Sequence, residues 1–388
     1  MLSHLLFALT GINLFEDRLF RAGAASLFAS LVVFLLMPHF IALLNRLDAT
    51  ADFEHGKPGG AHRRPPPIMG GMLLVMAVVM ASLCFARLNA YSLSALVILV
   101  AYATIGGADD AMKIHNKRQV ARGKLSKADY QLKADGISAG LRLFLYFLFS
   151  LLVAVFAYKF IPGLSGHVTV PFVKPETWFP FLPNWAFILL ICLVTTSSAN
   201  GANFTDGLDS LVSVPIMTTS LFAGVVAYIS GNSILAGYFL IPHIPGGDEL
   251  FPICTAILGA MLAYLWYNSP PAEIYMGDGG SIGFGGAIGM MFVLLKIELF
   301  LPIVGVVFLA EALSVLLQIT GFKLTRKLSK DGAGRRLFLR APLHHHYQLK
   351  WKGKFETPQA LNSKIIWRFH LVSILALILG SLIFLKVR

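Results

Sequence analysis

The chain has 388 residues, 56% of them apolar and only 13% charged, with a mean hydropathy of +0.71, which excludes an ordinary soluble domain and reads as an integral membrane protein. Its net charge of +12 does not argue for nucleic acid, because the Lys and Arg residues lie between apolar runs, where cytoplasmic loops of membrane proteins collect them. Cys84, Cys192 and Cys254 sit inside apolar runs and offer neither a disulfide framework nor a thiolate metal site.

The start, MLSHLLFALTGINLFEDRLFRAG, has no basic leader region and no small-residue cleavage site, so it is expected to be retained. Apolar runs long enough to cross a bilayer then follow near 20–44, 68–86, 93–112, 141–161, 184–199, 211–229, 249–267, 281–297, 299–320 and 365–386. These predict an all-α polytopic membrane protein of about ten transmembrane helices, a single integral membrane domain over residues 1–388. No internal repeat or low-complexity segment stands out. The connection after the first run carries Arg46, Lys57, Arg63 and Arg64. That after the third carries Lys113, Lys117, Arg118, Arg122, Lys124, Lys127 and Lys133, and the stretch from Lys323 to Lys364 after the ninth is the most basic. The alternate connections hold little beyond Arg87, Lys174 and Lys296, so the odd-numbered connections are expected in the cytoplasm and both termini on the outer, periplasmic side. On that outer side HVTVPFVKPETW predicts a small β-hairpin and GYFLIPHIPGGDEL a Gly/Pro-rich loop.

Four polar clusters fall on the cytoplasmic side of this topology: GGADDAMK, NGANFTDGLDS, NSPPAEIYMGDGGS and APLHHHYQLKWKGKF. Acidic residues number only 20, yet Asp109, Asp110, Asp206, Asp209 and Asp278 all stand at apolar borders, where a carboxylate is costly unless paired or metal-bound. If the third helix continues through the first cluster, Asp109 and Lys113 share a face while Asp110 points a quarter-turn or more away. One carboxylate could then face a metal or phosphate while the other holds a cation; a helix-end ion pair is the plainer alternative. In the second cluster Asn203, Asp206 and Asp209 recur every three residues around Gly207, a pattern that suits a ligand-facing turn or simple helix capping. Asp278 within GDGGS suits Mg2+ with phosphate, because Mg2+ takes a few carboxylates and leaves positions for substrate oxygens; a glycine-rich helix start is the alternative. His344, His345 and His346 cannot all face one metal on a helix, since neighbours diverge by about 100°. Near Arg340, Lys350 and Lys352 they read as donors to an anion or as an acid/base group.

The sequence has no P-loop, no HExxH and no GxSxG, so the acidic and basic groups at one membrane face point to phosphoryl chemistry with a divalent metal. A secondary transporter would also bury carboxylates, but near the midplane and in repeated halves.

Taken together, INLFEDRLFRA, GADDAMK, NFTDGLD, PAEIYMGDGGS and APLHHHYQ, in order along nearly the whole chain, resemble the phospho-N-acetylmuramoyl-pentapeptide transferase family of the polyprenyl-phosphate N-acetylhexosamine-1-phosphate transferases. The triple histidine and the IPHIPGGDEL loop favour this branch over relatives that transfer N-acetylglucosamine-1-phosphate. The resemblance implies transfer of phospho-N-acetylmuramoyl-pentapeptide from UDP to undecaprenyl phosphate, giving lipid I and UMP, with Mg2+. It further implies a bacterial inner-membrane protein with a cytoplasmic cleft, a ninth helix that breaks and bends, and a homodimer. By matching positions, Asp278 would be the Mg2+ ligand, and Asp109, supported by Asp110, the base or nucleophile for the lipid phosphate. Asn203, Asp206, Asp209, Asn268 and Tyr275 would line the nucleoside side. Lys113, Lys127, His344 and His345 would face phosphate and chemistry, with His346 binding substrate. The first cytoplasmic loop departs from the family, AHRRPPPIMGG standing where a Lys and GTPTMGG are usual, so Arg63 would take the Lys role; Tyr275 replaces a usual Phe.

Overall fold

The computed structural model describes residues 2–50, 65–121, 123, 136–171, 181–329 and 333–386. Each of the ten apolar runs forms helix. In chain order these are α2 (Arg18–Arg46) after a short α1 (Leu2–Thr10), α3 (Gly70–Phe85), α4 (Ala90–Ala121), α5 (Ala139–Phe160), α6 (Asn184–Thr205) and α7 (Ser213–Ser230). A short α8 (Ser233–Tyr238) precedes α9 (Leu250–Asn268) and α10 (Asp278–Leu294). The ninth run is interrupted at Gly305 into α11 (Leu301–Val304) and α12 (Val306–Leu328), and α13 (Leu343–Lys350) precedes α14 (Pro358–Lys386). Eight described helices are long and apolar enough to cross a membrane; α3 and α10 are apolar but shorter.

Local chemistry sets several boundaries. Asp17 caps α2 by accepting from the Leu19 and Phe20 amides at 2.9 and 3.0 Å, and Ser138 caps α5 through the Leu141 amide. The fourth helix runs nine residues past the end of its apolar run, so Lys113 is helical together with Asp109 and Asp110 rather than in a loop.

α10 is the centre of the bundle: every residue from Gly279 to Leu294 is buried. A helix enclosed on all sides needs small residues where neighbours cross. A Cβ on Gly71 of α3 would stand 2.2 Å from the Gly280 Cα, and one on Gly106 of α4 would stand 2.4 Å from the Asp278 carbonyl oxygen. These contacts seat the start of α10 against the Asp-bearing turn of α4.

At the opposite end Arg21, 2% exposed, donates to both oxygens of Glu249 at 2.7 and 2.8 Å and to the Phe85 carbonyl at 3.1 Å, while Arg18 pairs with Asp248 at 2.8 Å. Two distant stretches, INLFEDRLFRA and IPHIPGGDEL, thus meet in one ion-pair staple. The described residues form no β-strand; residues 172–178 of the predicted hairpin, 167–178, lie outside them, and its first residue, His167, forms an isolated antiparallel bridge with Phe181.

Candidate active site

α4 and α10 bring three aspartates together. Asp109, 0% exposed, accepts from the Ile137 backbone amide at 2.7 Å on Oδ1, and from Lys113 at 2.7 Å and Arg142 at 3.0 Å on Oδ2. Lys113 and Arg142 also reach Asp278 Oδ2, at 2.9 and 3.2 Å, so two cations bridge two carboxylates from different helices. Asp278 Oδ1 accepts from Asn203 Nδ2 at 2.8 Å, and the same amide lies 3.2 Å from Ser281 Oγ. Asp110 points the other way, as its helical position predicts, and accepts from the Gly279 amide at 3.2 Å. That contact depends on Gly277, at φ +78°, where a Cβ would meet Asp110 Oδ2 at 2.6 Å. Asp278 keeps 20% of its side chain exposed, Arg142 26% and Lys113 33%, so the cluster opens on the side of the cations.

The second and third sequence clusters fold against one another. Asn268, 4% exposed, accepts from the Ser210 amide at 2.8 Å and donates to the Ile274 carbonyl at 2.8 Å; its side chain ties the two segments together and is consumed in doing so. Asp209 Oδ2 accepts from the Ala272 amide at 3.2 Å. The Tyr275 backbone pairs with the first loop, its amide to the Pro67 carbonyl and its carbonyl to the Gly70 amide, both at 2.9 Å. Burial, then Asp209 and Asp206, push the Tyr275 hydroxyl pKa well up, which keeps it a neutral donor.

The three histidines diverge on α13. His344, 1% exposed, directs Nδ1 to Glu311 Oε2 at 3.1 Å; His345 Nδ1 meets Gln348 Oε1 at 2.7 Å; His346 Nδ1 accepts from the Leu339 amide at 3.2 Å. None of these contacts is with the aspartate cluster. Arg63 and Lys127 lie outside the described residues.

Two members of this end of the bundle escaped sequence reasoning. Arg142 stands in the first turn of α5, just inside an apolar run; a cation there is itself the signal, because the capped helix start aims it back toward α4. Glu311 is a lone carboxylate within the otherwise apolar FLAEALSVLL of α12, a cost that marks function or a buried partner.

Among the described residues no group of three His, Cys, Asp or Glu side chains could by itself hold a metal ion. The donors at the cluster are carboxylates, the oxygen type a hard divalent cation takes, and such a cation commonly completes its shell with water and substrate phosphate. The set fits a cation shared with a phosphate and does not fit a closed protein cage.

The family model described as glycosyl transferase family 4 matches residues 92–296, which contain the aspartate cluster. The chain is 35% identical over 382 residues to the phospho-N-acetylmuramoyl-pentapeptide-transferase of Desulfotalea psychrophila, covering 97% of each chain. It is 37% identical to the enzymes of that name from Gluconobacter oxydans, over 93% of this chain and 92% of the relative, and from Chlorobium phaeobacteroides, over 97% and 96%. Similarity at this level across the full length of both chains, with the motif aspartates gathered at one end of the bundle, places the chain in the phospho-N-acetylmuramoyl-pentapeptide-transferase family.

Proposed function

We propose that the chain transfers phospho-N-acetylmuramoyl-pentapeptide from UDP to undecaprenyl phosphate, yielding lipid I and UMP for peptidoglycan synthesis. The observation that carries this reading is the meeting of Asp109, Asp110 and Asp278 with Lys113 and Arg142. Phosphoryl transfer asks a protein chiefly to position reactants and neutralise charge, and this cluster supplies both signs within hydrogen-bond distance. An oxygen of the lipid phosphate bonds to the sugar-side phosphorus, the bond from that phosphorus to the UMP oxygen breaks, and UMP leaves with the electron pair. Lys113 and Arg142 take the phosphate oxygens in exchange for their present carboxylate contacts. Asp109, with Asp110 beside it, orients the lipid phosphate and accepts its proton if it arrives with one. Asp206, Asp209 and Tyr275 read the nucleoside, Asn268 and Asn203 holding the two supporting segments in place. Asp278 would hold Mg2+, which when bound supplies charge neutralisation on the pyrophosphate.

In this reading the cluster faces the cytoplasm of a bacterial inner membrane, both termini are outside, the chain is one membrane domain and two copies form a dimer. The Lys/Arg asymmetry of the loops supports the orientation, and the family supports the rest. The test is UMP release by purified protein given Mg2+, undecaprenyl phosphate and UDP-N-acetylmuramoyl-pentapeptide, with UDP-N-acetylglucosamine in a parallel reaction. Release from the muramoyl substrate alone, abolished by chelation, is expected. Release only from the second would make the protein an N-acetylglucosamine-1-phosphate transferase, and substrate counterflow without lipid product would make it a transporter.

A further inference from the structure

We infer that Glu311 is a positioning residue: through the His344 ring it fixes the turn from Thr205 to Ser210 and with it Asp206 and Asp209. The inference rests on the reading above that this turn meets the nucleoside end of the substrate. Glu311 is 0% exposed, and a carboxylate so placed persists only with donors around it. Both its oxygens serve one residue, Oε1 accepting from the His344 backbone amide at 3.2 Å and Oε2 facing the ring Nδ1 at 3.1 Å. Gripping backbone and ring together leaves the imidazole one orientation. With Nδ1–H donated to the carboxylate, a neutral ring presents Nε2 as an acceptor.

Nε2 is buried without a hydrogen-bond partner among the described residues, and the ring edge rests on Gly207: a Cβ there would stand 2.1 Å from Nε2 and 2.4 Å from Cε1. The same turn is held elsewhere by Asn268 Oδ1 on the Ser210 amide at 2.8 Å and by His370 Nε2 at 3.0 Å from the Ser210 carbonyl. His344 therefore connects the turn to α12, the helix that also packs on α6 where Phe308 lies against Gly201. At 1% exposure the ring is shut off from bulk water, so it acts through the backbone it touches.

Glu311→Gln keeps the shape but sets an amide NH2 against one of the two donors. It should raise the KM for UDP-N-acetylmuramoyl-pentapeptide about tenfold while the KM for undecaprenyl phosphate stays within about twofold. Gly207→Ala drives a methyl group into the ring and should cost about a hundredfold or more in kcat/KM for the nucleotide substrate; adding His344→Gly to it should recover about tenfold of that loss. Unfolding midpoints in detergent, measured for every variant, separate misfolding from mispositioning, and the same rescue should appear in them. An active wild type with both KM values shifted equally in Glu311→Gln, or a double variant no better than Gly207→Ala, overturns the inference alone. A wild type that releases no UMP overturns the functional reading and the substrate role of the turn together.

Discussion

Asp109 and Asp278 both offer their two carboxylate oxygens to donors of the protein itself, but Asp109 is sealed whereas Asp278 keeps an exposed edge beside the two cations. The difference separates their expected phenotypes. Asp278→Asn removes the charge that Lys113 and Arg142 share and that a divalent cation needs, so turnover should fall by about a thousandfold or more with little change in the unfolding midpoint. Mg2+ titration of the purified variant checks this, and turnover like the wild type at ordinary Mg2+ would refute the assignment. Arg142→Ala leaves Lys113 as the remaining bridge and deletes charge-assisted hydrogen bonds each worth about 1.5–3 kcal/mol, so kcat/KM should fall about 10- to 100-fold, with Arg142→Lys intermediate because an ammonium cannot reproduce the guanidinium fork. Steady-state kinetics of the two variants side by side would show it; equal values would mean that the guanidinium geometry is irrelevant. The aspartates were legible in the sequence because a carboxylate in so apolar a chain needs a reason. Arg142 was not, because it falls just inside an apolar run, outside the loops whose cations set the orientation, and only the folded helix start shows that it reaches the cluster.

The bundle is legible as a set of apolar runs, and its joints are not. Hydropathy placed all ten runs on helices, but it measures apolarity rather than helicity, and so it ended the third run nine residues before α4 ends. It also passed over Gly305, where the ninth run breaks, and the largely polar α13, whose apolar edge of Tyr347 and the following Trp351 is too short to register as a run. What positions the site is the crossing of α3 and α4 over α10, made by glycines that a run-based reading treats as interruptions. Gly71 is the sharpest instance: its added Cβ would meet backbone atoms, Gly280 Cα at 2.2 Å and Gly280 N at 2.5 Å, and its own amide donates to the Met276 carbonyl two residues before Asp278. Gly71→Ala must therefore part the two helices, and it should cost about 3 kcal/mol or more and lower turnover by displacing Asp278. Gly321→Ala in α12 is the matched control, since nothing lies within 4 Å of its added Cβ, and there the change should stabilise by about 0.5–1 kcal/mol. Denaturation of the two variants in the same detergent decides the point; equal effects would show that the crossing tolerates separation.

The two ends of the molecule spend charge differently. At the aspartate end, Lys113, Arg142 and one edge of Asp278 reach the surface; at the other, Arg21 and Glu249 are sealed together and fasten α2, α3 and the approach to α9. In the turn between α10 and α11 a half-buried Lys296 stands near a buried Glu298 that is poorly satisfied. Lys296 donates to the Ser165 carbonyl and stacks over Phe187, while Glu298, 1% exposed, has no hydrogen-bond partner for either carboxylate oxygen among the described residues. Burial pushes Glu298 up from 4.5 to about 7, with Lys296 opposing, and burial pushes Lys296 down from 10.5 to about 8, with Glu298 opposing. Between pH 4.5 and about 7 the folded chain holds a Glu298 proton that the unfolded chain has released, so the stability this group contributes is full below 4.5 and is lost as pH rises through about 7. Lys296 works the other way: from about 8 to 10.5 the unfolded chain holds a proton that the folded chain has lost, and stability rises with pH across that window. Glu298→Gln imitates the protonated acid, so its unfolding midpoint should match the wild type near pH 5 and exceed it increasingly toward pH 7.5. Comparing the two proteins cancels the histidines, which titrate in both. A gap that stays constant from pH 5 to 7.5 would show that Glu298 is ionised throughout, and the Lys296 window, read with Lys296→Met above pH 8, would then have to carry any pH response of this end alone.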